Sequence, residues 1–405
     1  MTVEILRCRM CETEVPAGAS GSCGRCFGPL EPVYDWDAVA REATRERIEA
    51  GPRSIWRYAP LLPVGAPADA SNGPGWTPLV RAPRLADELG VGELYLKLDH
   101  TNPTHSFKDR VVAVAAAKAV ELGADTLACA STGNLGNAVA ARAAALGMRS
   151  VVLYPTTVEP EKLRATAVYG GHMVAIRGSY DVCSRLVVEL STELDWAFVN
   201  VNLRAYYAEG SKTLAFEIAE QLGWELPDAV VAPVASGSLF TKLWQGFQQL
   251  QRVGLVGGEL PRLHGGQAEG CSPVAAAFSE DRLVAPVRPA TIAQSLAIGA
   301  PADGDLAVAT ARASGGGIHA VPEHEVGTNM ALLASGSGIF GETAAGVSFG
   351  ALRDAVARGE LGSDDRVVML VTGTGLKTPA VLDVAHAVEI DADVDLLLDE
   401  LGVAA

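Results

Sequence analysis

From Tyr95 onward the chain alternates short apolar runs with stretches of about 10–15 residues at helical spacing, and that alternation decides the class of fold. Strands are expected at Tyr95–Leu98, Thr126–Ala130, Ser150–Tyr154, Met173–Ile176, Phe198–Val201, Ala229–Pro233, Arg262–Gln267 and Arg366–Val371. Helices are expected between them at Val111–Leu122, Asn134–Leu146, Glu161–Tyr169, Asp181–Leu194, Lys212–Leu222 and Leu239–Val253. Strands joined through helices cannot pair as hairpins. They run parallel, with helices on the faces of the sheet. The 405 residues suit more than one such core. The expected class is therefore α/β, with two open, twisted, mainly parallel sheets flanked by helices. Upstream, Asp37–Ala50 has the spacing of a charged amphipathic helix, and Pro52–Trp76 reads as loop.

Charge narrows the function. There are 32 Lys+Arg against 48 Asp+Glu, a net charge of −16. Such an excess repels phosphate backbones and anionic bilayers, which argues against nucleic-acid and membrane-surface roles. No apolar run approaches the ~18 residues of a membrane span. The first residues lack the layout of a secretion signal. The expectation is a cytoplasmic enzyme.

Four of the seven cysteines form two Cys-x-x-Cys knuckles, Cys8/Cys11 and Cys23/Cys26. That spacing suits tetrahedral thiolate coordination of Zn²⁺. The surrounding segment is too short to bury a core, so a structural metal is a sensible staple. Two disulfides are the alternative, which a reducing cytoplasm opposes.

Lys108 occupies a junction between an expected strand and an expected helix, within Ser106-Phe107-Lys108-Asp109-Arg110. The positive end of a helix dipole favours a neutral amine, the form that attacks a carbonyl to make a Schiff base. A solvated lysine in a first helical turn is the plain alternative. Three further loops follow expected strands, where ligands of open α/β sheets bind. Ser131-Thr132-Gly133-Asn134 offers hydroxyls, an amide and helix N-terminal N–H groups, although it also reads as an ordinary N-cap. Ala235-Ser236-Gly237-Ser238-Leu239 has side chains small enough for backbone N–H groups to reach a phosphate. Thr372-Gly373-Thr374-Gly375-Leu376-Lys377 follows the last strand and places a hydroxyl there.

Taken in this order, the loops and the lysine resemble the threonine synthase family, pyridoxal 5′-phosphate enzymes of the tryptophan-synthase-β-like fold (fold type II). The resemblance runs from the cysteine knuckles to Lys377 and includes Thr77-Pro78-Leu79, Asn202-Leu203-Arg204, Glu209–Thr213 and Gly266–Gly270. It implies that Lys108 carries the cofactor and shuttles protons, and that Asn134 bonds the cofactor's 3′-oxygen. It places Thr372 against the pyridine nitrogen and the Ala235–Leu239 backbone on the cofactor phosphate. Lys97, Ser131, Thr132 and Arg204 become candidates for the substrate's carboxylate or phosphate. The implied reaction converts O-phospho-L-homoserine and water to L-threonine and phosphate, in a homodimer. On this reading residues 1–34 are zinc-ribbon-like, 35–126 and 206–405 form the large cofactor domain, and 127–205 form a small α/β domain.

The chain departs from the family pattern in three places. His105 stands where glycine is usual, and a histidine takes left-handed backbone angles less readily. The Ala235–Leu239 loop lacks the usual asparagines, and Ser335–Phe340 lacks an acidic residue before Gly-Ile-Phe. A related enzyme remains the alternative: β-replacement on O-phosphoserine, as in cysteate synthase, or a threonine or serine dehydratase. A catalytically inactive zinc-ribbon interaction protein is the alternative from another class.

Overall fold

In a computed structural model, which describes residues 3–131, 133–382 and 388–402, three sheets organise the chain. The cysteine-rich segment folds as a small antiparallel sheet of β1 (Ile5–Cys8), β2 (Glu14–Pro16) and β3 (Leu30–Pro32), with β1 in the middle. The large sheet begins with β4 (Leu79–Arg81) and β5 (Glu93–Leu98). The chain then leaves to build a second sheet from β6 (Thr126–Ala130), β7 (Arg149–Pro155), β8 (His172–Ile176) and β9 (Ala197–Phe198). It returns to the large sheet with β10 (Ala229–Pro233), β11 (Arg262–Ala268), β12 (Gly317–Val321) and β13 (Arg366–Val371).

The second sheet has the order β8-β7-β6-β9, parallel throughout. The large sheet has the order β12-β11-β10-β13-β5-β4, parallel except for the edge strand β4. Every residue of β6 and of β10 is buried. That is why these strands read as continuous apolar runs, as sheets covered on both faces require.

Four helices position the site: α1 (Lys108–Glu121), α2 (Asn134–Leu146), α3 (Ser238–Arg252) and α4 (Thr343–Ala357). Two expectations need correction. Asp37–Ala50 is not one helix, because Thr44 accepts a hydrogen bond from the Arg47 N–H and restarts the chain as a second short helix, Arg45–Glu49, after Trp36–Glu42. The strand expected at Phe198–Val201 ends at Phe198, where the Val201 N–H turns back to the Phe198 carbonyl. No helix among the described residues is long and apolar enough to cross a membrane.

Candidate active site

The parallel register of β5 and β13 runs from Glu93↔Arg366 to Leu98↔Val371, so both strands end level. The chain leaving β5 and the chain leaving β13 therefore meet. Phe107 N–H donates to the Thr372 carbonyl, and Thr374 N–H to that of His105. A third loop joins them, with the Gly375 N–H on the Phe340 carbonyl and the Glu342 N–H on that of Gly373. This patch explains the Thr-Gly-x-Gly spelling. A Cβ at Gly373 would collide with the Glu342 carboxylate, and one at Gly375 with the Phe340 ring.

The patch forms one wall of a cavity of about 620 Å³. Lys108, Ser131, Asn134, Arg204, the whole Ala235–Leu239 turn and Thr372 border it. Lys108 stands in the first turn of α1, its Nζ 4.3 Å from the centre of the Phe107 ring and 5.9 Å from that of Tyr207. Among the described residues it makes no salt bridge. Burial brings its pKa down to about 8 against a weaker opposing pull from Glu342. At the turn before α3, Gly237 has φ +90°, and a Cβ there would lie 2.6 Å from the Asp303 carbonyl oxygen. Among the described residues no side chain caps α3 apart from a long 3.5 Å contact between Ser238 N–H and Ser236 Oγ. Its N-terminus thus offers backbone N–H groups to an anion.

A model of the pyridoxal-phosphate-dependent enzyme family matches residues 70–373. The threonine synthase of Methanocaldococcus jannaschii is 35% identical over 378 residues, 92% of this chain and 93% of that protein. The Synechocystis threonine synthase is 38% identical over 80% of this chain and 83% of its own length. The chain belongs to the threonine synthase family. Solved structures share the fold. A fungal L-serine ammonia-lyase from Rhizomucor miehei superimposes with a TM-score of 0.66 at 24% identity, covering 76% of this chain and 97% of that one. Threonine deaminase isoform 2 from Solanum lycopersicum gives 0.65 at 19%, covering 91% and 89%.

The cavity fits the family's cofactor. It offers an amine held partly neutral, an uncapped helix N-terminus of small residues for a phosphate, and a volume within the usual ~300–1,000 Å³ for ligand sites. The amide of Asn134 is fixed in a way the sequence did not show. Lys377 donates to Asn134 Oδ1 at 3.0 Å, and also to the Thr104 carbonyl at 2.6 Å. Lysine only donates, so the Asn134 carbonyl must face it. The Asn134 NH₂ is thereby turned toward Glu342, with N–O distances of 3.0 and 2.9 Å. Glu342 is buried, borders the cavity and was missed in the sequence. It lies two residues beyond the Gly-Ile-Phe that attracted attention for lacking an acid. Lys377→Met should release the amide and weaken retention of pyridoxal phosphate about tenfold, the scale of one charge-assisted hydrogen bond. Fluorescence titration of cofactor into the apo-protein reads it.

The substrate candidates separate. Lys97 is a correction: it does not reach the cavity. It is fully buried and donates to Glu217 (2.6 Å), the Thr77 carbonyl (2.6 Å) and Gln221 (2.8 Å). Ser131 borders the cavity, but its Oγ accepts from the Gly133 and Gly136 N–H groups at 3.0 and 2.7 Å, capping α2. Its hydroxyl proton remains available. Thr132 lies outside the described residues. Arg204 borders the cavity and pairs with Asp303 at 2.6 Å. His105 keeps the left-handed backbone, φ +60°, with its side chain exposed and outside the cavity lining.

The cysteine-rich segment contributes to the same site. Its loop Ala19–Ser22 borders the cavity. Tyr206 OH donates to the Gly18 carbonyl at 3.2 Å, and Arg9 pairs with Asp303 at 3.2 Å. The four thiols converge, with sulfur–sulfur distances of 3.3, 3.4 and 3.7 Å among the closest pairs. Tetrahedral bonds of about 2.3 Å to zinc set about 3.8 Å, so the donor set fits that ion.

The lowered pKa of Lys108 has a kinetic consequence. With Lys108 as the proposed anchor, only its neutral amine reacts with the cofactor's carbonyl, so uptake by the apo-protein should rise about tenfold per pH unit below about 8 and level off above it. An ordinary lysine would keep rising toward 10.5. Stopped-flow absorbance distinguishes the two, and Lys377, also lowered to about 8 by burial, is controlled for in the Lys377→Met background.

Proposed function

We propose that this chain converts O-phospho-L-homoserine and water to L-threonine and phosphate, with pyridoxal 5′-phosphate bound at Lys108. The observation that carries the reading is the meeting of Lys108, Asn134, the Ala235–Leu239 turn and Thr372 around one cavity, in a chain matched over nine-tenths of its length by a threonine synthase. The cofactor, when bound, supplies an electron sink that acidifies carbons near the substrate amine and lets phosphate leave from the γ-carbon.

The chain's own residues do the rest. Lys108 Nζ would hold the cofactor and, once free, would carry protons between the substrate's Cα, Cβ and Cγ. One base serving several transfers needs a pKa near the working pH, which burial among Phe107 and Tyr207 provides. Thr372 offers the pyridine nitrogen a neutral hydroxyl, which tempers the sink. Asn134, held by Lys377, is the amide for the 3′-oxygen, which would take one of the NH₂ protons now directed at Glu342. The Ala235–Leu239 backbone holds the cofactor phosphate. Arg204 and the Ser131 hydroxyl bind the substrate's anionic groups. Zinc on Cys8, Cys11, Cys23 and Cys26 is structural and holds the Ala19–Ser22 wall in place. A cytoplasmic homodimer completes the reading.

Phosphate release from O-phospho-L-homoserine, with the amino-acid product identified, tests it. Threonine is expected. Turnover of O-phosphoserine without threonine from O-phospho-L-homoserine would reassign the substrate. Arg204→Gln should raise KM for the phosphorylated substrate about tenfold or more, with little change in the cofactor absorbance band, since a guanidinium–oxyanion contact is charge-assisted.

A further inference from the structure

Outside the cysteine cluster, one other group of ligating side chains converges among the described residues: His264, His319 and Glu360. His264 lies on β11 and His319 on the neighbouring edge strand β12. Glu360 follows α4. The cofactor turn leaves the C-terminal end of β10, whereas His264 lies near the start of β11, paired with Gly317 at the first position of β12. The group takes no part in the site described above.

Its geometry is that of a coordination triangle. His264 Nδ1 and His319 Nε2 are 3.2 Å apart, His264 Nδ1 and Glu360 Oε2 are 3.4 Å apart, and His319 Nε2 and Glu360 Oε2 are 3.5 Å apart. Zinc bonds of about 2.0–2.2 Å to nitrogen and oxygen, arranged tetrahedrally, place ligands about 3.4 Å from one another. Behind the triangle, His319 Nδ1 lies 2.8 Å from Asp354 Oδ2. This is the carboxylate–histidine arrangement that orients a metal-bound imidazole.

Hydrogen bonding alone leaves the group unsatisfied. With His319 neutral and donating its Nδ1–H to Asp354, its Nε2 presents a bare lone pair. Among the described residues Glu360 Oε2 is buried with no hydrogen-bond partner. One proton on His264 Nδ1 can serve only one of these two acceptors, and the other lone pair stays opposed to it. His264 Nε2 is buried without a partner among the described residues in either tautomer, so it favours neither. A dication answers all three lone pairs at once, and Asp354 balances the charge that remains.

We propose that His264, His319 and Glu360 bind one divalent ion of the zinc class, with water as fourth ligand and Asp354 orienting His319. The site ties the edge strand β12 and its neighbour β11 to the turn after α4. The two imidazoles are 1% and 2% exposed while Glu360 is 38% exposed, so the ion enters past the carboxylate. Room for the fourth ligand lies beside Gly317, where a Cβ would sit 3.2 Å from both Glu360 Oε2 and His319 Nε2.

The test is zinc content per chain of the full-length holoenzyme, equilibrated with Zn²⁺, exchanged into metal-free buffer and read by mass spectrometry. His319→Ala should carry one equivalent less than the wild type, with its cofactor band intact. Glu360→Gln, at a partly exposed position that does not threaten the fold, should lose the same equivalent. Asp354→Asn should weaken zinc binding about 10- to 100-fold. Gly317→Ala should weaken it by filling the fourth position. Cys11→Ser lowers the count separately, so an empty cysteine site is not mistaken for an empty histidine site. Equal zinc in the wild type, His319→Ala and Glu360→Gln overturns the proposal.

Discussion

Lys108→Ala is expected to lower turnover by about 10³-fold or more, because on the proposed assignment it removes at once the cofactor's covalent anchor and the proton carrier. The folded protein should not suffer. Among the described residues the Lys108 side chain makes no hydrogen bond or salt bridge, and its partners are the faces of Phe107 and Tyr207. Its amine is held at about 8, below the ordinary 10.5, so the folded state binds fewer protons than the unfolded state between those values. Stability of the apo-protein therefore rises with pH across that window and is lowest below it. The alanine variant should flatten part of that rise and melt no lower than the wild-type apo-protein near pH 7. Borohydride reduction followed by peptide mapping should label the peptide containing Lys108 in the wild type and nothing in the variant. Labelling of another lysine, or turnover that survives the substitution, would refute the assignment.

The fold was legible wherever burial imposes a period. Buried parallel strands such as Ala229–Pro233 and Arg366–Val371 declare themselves as apolar runs, and their ends agree with the structure. The stretch between Gln267 and Arg366 was silent for a physical reason. Helix α4 is buried on nearly every side, with Gly346 against the Val326 carbonyl and Gly350 against Val321, so it has no polar face to give it a period. Strand β12 opens on glycine and has His319 at its centre, so it shows no continuous apolar run. At the site, local motifs found the loops but not their partners. The functional meaning of Glu342 depends on Asn134, 208 residues away, and that of Lys377 on Asn134, 243 residues away. The misreading of Lys97 has the same origin: a lysine beside a substrate loop and a lysine inside an ion-pair cluster look alike until Glu217, 120 residues downstream, is in place.

That cluster carries the largest expected effect on stability. Glu217 accepts from Lys97 at 2.6 Å, from Arg110 Nη1 and Nη2 at 2.5 and 2.7 Å, and from the Trp76 and Thr77 N–H groups at 2.7 and 3.3 Å. Arg110 also pairs with Asp99 at 2.7 Å. The four charges sum to zero and all are fully buried. Burial pushes the Glu217 carboxyl up, but Arg110 and Lys97 together hold it at about 2. Its contribution is thus complete above the ordinary carboxylate pKa of 4.5 and is lost as pH falls toward 2. Glu217→Gln keeps the volume and leaves one buried cation uncompensated. The expected cost is about 3–5 kcal/mol of unfolding free energy near pH 7, shrinking as the pH is lowered. Lys97→Met alone should cost a similar amount through the opposite imbalance. The double variant restores neutrality around the Arg110–Asp99 pair, so it should be more stable than the sum of the two single costs predicts. Urea midpoints of the three variants decide this, and simple additivity would show that the cluster does not act as a charge-balanced unit. Because Arg110 lies two residues beyond Lys108 on α1, each single variant should also release pyridoxal phosphate at a lower urea concentration than the wild type.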